Sequence, residues 1–135
     1  MTGKLTLSKR ERLKSSIILE QLFSSGKSIK SGPFILLWDI QKLNTTVPVQ
    51  VGFSVPKKKF RKAVDRNRIK RQLKEAYRLN KLNLFNLVLK SGEQVALFIL
   101  YRDNKEFEHH ELQDKIIVAL SRLEKELKIV LNNAE

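Results

Sequence analysis

At 135 residues the chain can build one substantial core, too small for two domains, and the formal charge is +13, from 27 Lys and Arg against 14 Asp and Glu. The absence of cysteine excludes a disulfide framework and a thiolate metal site, and fits a reducing cytoplasm. No apolar run approaches the ~20 residues of a spanning helix, and the N-terminus has no apolar signal core, so the sequence reads as that of a cytoplasmic chain with no membrane partner.

Residues 1–14 hold five basic residues and Glu11 without a clear period. They read as a basic arm, mobile or held against the surface, ahead of a single domain at 15–127 and a tail at 128–135. In "SSIILEQLFSSGK", Ser15 or Ser16 can cap a helix whose apolar residues are Ile18, Leu19, Leu22 and Phe23, and Gly26 stands where a C-terminal glycine cap belongs. Residues 33–41 and 47–55 are rich in β-branched and aromatic side chains, and "LNTT" between them suits a turn. That pattern predicts two antiparallel strands, with Phe34, Leu36 and Trp38 on one face and Ile35 and Leu37 on the other. A further short strand can lie near Ser28.

The next segment, 57–81, holds twelve Lys or Arg and two acids. It contributes 12 − 2, or +10, of the total +13, so the charge excess is local. Its second half is helical by pattern: Ile69, Leu73, Ala76 and Tyr77 form an apolar stripe, leaving Arg66, Asn67, Lys70, Arg71, Lys74 and Arg78 outside it. "EQVALFILYR" is an apolar run of the kind found in strands buried on both faces. "ELQDKIIVALSRLEKELKIVL" predicts a long amphipathic helix with Leu112, Ile116, Ala119 or Leu120, Leu123 and Leu127 on one side. The predicted order is α-β-β-α-β-α, a compact α/β sandwich.

No side-chain set points to catalysis or to metal binding. His109 and His110 are adjacent and so diverge, while Glu106, Glu108, Glu111 and Asp114 gather before the last helix, where negative charge suits the helix dipole. The basic helix is more informative. Like charges at i, i+4, such as Arg66 with Lys70 and Lys70 with Lys74, each cost a helix ~0.2–0.5 kcal/mol. A polyanion offsets that repulsion, since neutralised phosphates release counterions and an arginine fork matches phosphate oxygens. The composition therefore predicts nucleic-acid binding.

The segment "VGFSVPKKKFRKAVDRNRIKRQLKEAYR" resembles the signature of the bacterial ribonuclease P protein component. The matching residues are Gly52, Ser54, Val55, Lys57, Lys58, Ala63, Val64, Arg66, Asn67, Arg68, Lys70 and Arg71. "RLKSS", "LFSSGK" and "FILL" extend the likeness over about 12–127. The resemblance implies a two-layer α/β sandwich in the class of the second domain of a small-subunit ribosomal protein, with a mixed sheet and a left-handed β-α-β crossover against the usual rule. It also implies a protein cofactor of a catalytic RNA, which with magnesium removes the 5′ leader from precursor tRNA. Carried over by position, Lys57, Lys58, Arg66, Asn67 and Arg68 would contact the catalytic RNA. Leu19, Phe23, Leu37, Ser54, Lys70, Arg71 and Lys74 would bind the leader. The family commonly has aromatics where this chain has Leu19 and Leu37, so the likeness implies a floor short of base stacking, ~1–3 kcal/mol per base.

Three other readings compete. A ribosomal-type RNA-binding protein shares the basic helix but not the ordered arginine motif. A metal-dependent nuclease would cleave without RNA, and a DNA-binding regulator would need a helix-turn-helix that the pattern lacks.

Overall fold

The computed structural model describes residues 8–133. Helix α1 (Ser16–Ser25) opens at Ser15, whose hydroxyl accepts from the Ile18 amide at 3.3 Å. It ends at Gly26 for a different reason from the expected left-handed cap. Gly26 is extended, with φ −69°, and a Cβ there would lie 2.6 Å from the Leu22 carbonyl oxygen. Strands β1 (Lys27–Ser31) and β2 (Phe34–Ile40) form an antiparallel hairpin through Gly32, whose φ of 55° suits a residue without a side chain. The short strand near Ser28 is therefore β1.

Strand β3 (Val49–Ser54) is not paired with β2 as the pattern predicted. The sheet order is β1-β2-β4-β3, with β4 (Val95–Tyr101) antiparallel to β2 and parallel to β3. Five of the seven β4 positions are buried and the other two half-buried, the consequence of taking a central place. A parallel neighbour needs a long crossover, and the chain supplies one through α2 (Ala63–Asn80) and α3 (Leu82–Ser91). Helix α3 has no counterpart in the expected order. Its signals are Leu84 and Val88, both buried and four apart, and Gly92, which closes it at φ 76°. The last helix, α4 (His109–Asn133), continues past residue 127, and Leu131 is buried.

Helices α2, α3 and α4 cover one sheet face. There Phe34, Leu36, Trp38, Val51, Leu97 and Ile99 meet Ile69, Leu73, Tyr77, Ile116 and Leu123 in the main core. The alternation expected along β2 holds, with 34, 36 and 38 buried and 35 and 37 half-buried. The opposite face is only partly covered, by α1 and by residues 8–14. Leu13, Leu22, Leu43 and Ala96 form a second, smaller cluster there.

Residues 8–14 are packed against the sheet. The Leu13 amide donates to the Val51 carbonyl at 3.0 Å, Arg12 forms a parallel bridge with Val51, and the Gln50 side chain donates to the Arg10 carbonyl at 2.9 Å. Glu11 is buried in an ion pair with Lys81 at 2.5 Å.

Candidate nucleic-acid interface

Helix α2 carries its charge on three lines. At 3.6 residues per turn, Arg66, Lys70 and Lys74 recur on the flank beside Tyr77. The Tyr77 ring meets Phe53 of β3 edge-on at 5.9 Å, so this flank is the one nearest the β3 edge. Arg68 is on the other flank, against the loop before α4. Arg71, with Arg68, Lys74, Arg78 and His109, lines an open groove of about 530 Å³ between α2 and the start of α4.

The cations differ in how they are engaged. Arg66 turns one guanidinium nitrogen back onto the Phe60 and Arg61 carbonyls, at 2.8 and 2.9 Å, and so fixes the loop after β3. Arg68 forks onto both Glu106 oxygens at 2.6 and 2.9 Å and onto Asp65 at 2.8 Å. The Arg68 hydrogen bond holds the Glu106 carboxyl below its usual range, and Glu106 with Asp65 keeps Arg68 firmly protonated. Arg78 pairs with Glu75. Lys70, Arg71 and Lys74 make no ion pair or hydrogen bond among the described residues, and Asn67, Arg71 and Lys74 are exposed. Lys57 and Lys58 stand exposed on the loop following β3, while Lys59 is tied to the Arg102 carbonyl.

The second part of the site is the half-open sheet face. Strand register sets two rows across it. Ser28, Leu37, Phe98 and Gly52 form one, and Lys30, Ile35, Leu100 and Ser54 form the other. Leu37, Phe98, Ile35, Leu100 and Ser54 are all half-buried, so this is an accessible apolar floor. Leu19 borders it from α1, and Phe23, 57% exposed, meets the Phe98 ring edge-on at 5.4 Å. A Cβ at Gly52 would lie 2.6 Å from that same ring, so the glycine makes room for it.

The expected floor residues Leu19, Phe23, Leu37 and Ser54 therefore do share one surface. Lys70, Arg71 and Lys74 rise from a separate element, with Arg71 directed to the α2–α4 groove. Phe98 and Leu100 were not legible as site residues, because the β4 run is apolar at every position, whereas Ile35 follows from its place two residues before Leu37 on β2. Only the sheet register shows that Phe98 is the cross-strand partner of Leu37, an aromatic ring one strand over from where the resemblance puts it.

One expected result follows from Glu106. It occupies the Arg68 fork as a phosphate would, so Glu106→Gln should strengthen RNA binding, by up to about fivefold for an exposed pair. The carboxyl's lowered pKa means that the clamp is complete above the ordinary carboxylate range and is lost as pH falls through the lowered value. A titration of RNA affinity checks both, and E106Q binding no tighter than the parent protein would remove Glu106 as a competitor.

The arrangement can bind phosphates and bases. The ribonuclease P family model matches residues 7–124. The ribonuclease P protein component of Chlorobaculum tepidum is 35% identical, covering 98% of this chain and 83% of its own. That of Porphyromonas gingivalis is 40% identical over 71% of each. Among solved structures, the RNase P protein of Staphylococcus aureus superposes with a TM-score of 0.66 at 20% identity, covering 84% of this chain and 94% of that one. That of Thermotoga maritima gives 0.64 at 24%, over 82% and 98%.

Proposed function

The chain belongs to the ribonuclease P protein component family, and we propose that within this tRNA-processing endoribonuclease it joins two RNAs by two different surfaces. The observation that carries this reading is the half-open apolar floor on one sheet face, combined with a helix packed on the other face whose Lys70, Arg71 and Lys74 make no ion pair or hydrogen bond among the described residues. Phosphates neutralise the free cations, and unstacked bases of a single-stranded 5′ leader lie on the floor.

Arg66, Asn67 and Arg68, with Lys57 and Lys58, face the catalytic RNA. Arg66 also orders the loop after β3 on which that contact depends. Lys70 and Lys74, on the β3 flank of α2, draw in the leader backbone. Phe98 and Phe23 supply the ring surface that leucine at 19 and 37 does not. Magnesium would be held chiefly by the phosphates of the catalytic RNA and its substrate, and there it would supply the hydrolytic chemistry. No helix among the described residues is long and apolar enough to cross a membrane, and the proposed location is the cytoplasm, with catalytic RNA and precursor tRNA as partners.

The test is reconstitution with the catalytic RNA. The wild-type holoenzyme should bind precursor tRNA more tightly than mature tRNA. Phe98→Val, which keeps a strand-forming residue, should lower that preference by the worth of about one stacked base, ~1–3 kcal/mol. Cleavage of precursor tRNA by the protein without RNA would overturn the reading, as would a preference that Phe98→Val leaves intact.

A further inference from the structure

Residues 9–14 carry a concentration of charge that neither α2, the loop before it nor the sheet floor accounts for. Lys9, Arg10, Arg12 and Lys14 line one open cavity of about 530 Å³ together with Asn44 and Thr45 of the β2–β3 connection. All four cations are exposed, and none of their side chains makes an ion pair or hydrogen bond among the described residues. The acid among them does not compensate. Glu11 is turned inward, where one carboxylate oxygen takes Lys81 and the other accepts from the Ser8 amide and hydroxyl at 3.0 Å.

The backbone under these charges is fixed at three points: the buried Glu11–Lys81 pair, the Arg12–Val51 bridge, and the Gln50 side chain on the Arg10 carbonyl. A flexible basic tail loses entropy when it is ordered on a ligand. This segment has been ordered by folding, so its charges meet a ligand already in position. The lining contains no aromatic ring, which leaves unstacked bases nothing to stack on. Four cations with the amides of Asn44 and Gln50 and the hydroxyls of Ser15 and Thr45 suit the phosphates and 2′-hydroxyls of structured RNA.

We propose that this cavity is a second RNA site, which holds the phosphodiester backbone of the catalytic RNA. The proposal rests on the reading of the chain as the protein component of ribonuclease P. The Glu11–Lys81 pair places the segment at the far end of α2 from Arg66, fifteen residues or roughly 22 Å away along the helix. Two contacts so far apart fix the orientation of the protein on the RNA, which one contact leaves free to pivot.

The experiment changes Lys9, Arg10, Arg12 and Lys14 together to glutamine in the full chain. Affinity for the catalytic RNA is then measured as a function of salt. The expected result is at least a tenfold loss at low salt and a log–log slope shallower by roughly three, from four contacts at ~0.7–0.9 each. With protein saturating the catalytic RNA, mature tRNA affinity should not move. If the unfolding midpoint of the fourfold variant drops, Arg10→Gln with Lys14→Gln carries the test, with about half the slope change. An unchanged slope, or a loss seen only in tRNA affinity, overturns the site. Cleavage stimulation by the wild-type protein is read in the same mixtures, and its absence would overturn the functional reading instead.

Discussion

Replacing Lys81 with methionine is expected to destabilise the protein by about 3–5 kcal/mol, the usual cost of leaving a buried charge without its partner. The two side chains are 7% and 8% exposed, and Glu11 meets no second cation among the described residues. Water can reach it only if residues 8–14 come away from the sheet, which would also forfeit the Leu13 packing. Glu11→Gln should cost less than Lys81→Met, because the glutamine amide oxygen can still accept from the buried Lys81 ammonium. The paired change Glu11→Leu with Lys81→Met should recover most of the loss, since a buried ion pair is often no more stabilising than an apolar pair of similar volume. Denaturant unfolding of the two single variants and the double completes the cycle. A Lys81→Met cost below 1 kcal/mol would mean that Glu11 finds water in the folded state.

Changing Lys70 and Lys74 together to alanine should lower the affinity of the holoenzyme for precursor tRNA by at least about 100-fold, if each makes one charge-assisted contact worth ~1.5–3 kcal/mol. Both stand on the β3 flank of α2 and neither makes an ion pair or hydrogen bond among the described residues, so no described contact of the fold depends on their charge. Stability should even rise slightly, because Lys70 with Lys74 and Arg66 with Lys70 are like-charge pairs one turn apart. Mature tRNA, without a leader, should bind almost as before, and the salt slope for precursor should flatten by about 1.4, at ~0.7 per single-strand phosphate. Arg71→Ala should change this preference less, because Arg71 stands farther round α2 from the β3 flank than Lys70 or Lys74, although Lys74 also borders the groove on the α4 side. A precursor-to-mature ratio that survives the double change would place the leader elsewhere.

The identity of the secondary-structure elements and their buried faces was largely determined by local sequence. Period 3.6 in 69–77 and 112–127 named the buried stripes of α2 and α4, and period 2 in 34–38 named the core face of β2, because each pattern is set by neighbours within one element. The concentration of charge on 57–81 needed nothing but counting. Strand pairing was different: β2 and β3 looked like a hairpin because a short polar segment joins them, but β4 comes between, since its continuous apolar run gains most from a neighbour on each edge. The electrostatics of the site were also beyond local pattern. Arg68 meets Glu106 at a separation of 38 residues and Glu11 meets Lys81 at 70, so which cations are tied and which are left for RNA depends on contacts that only the folded chain creates. Phe98 belongs with these. Its side chain reaches the open floor because the register sets it between Leu37 and Gly52, where the one is small enough beside it and the other has no Cβ to exclude the ring.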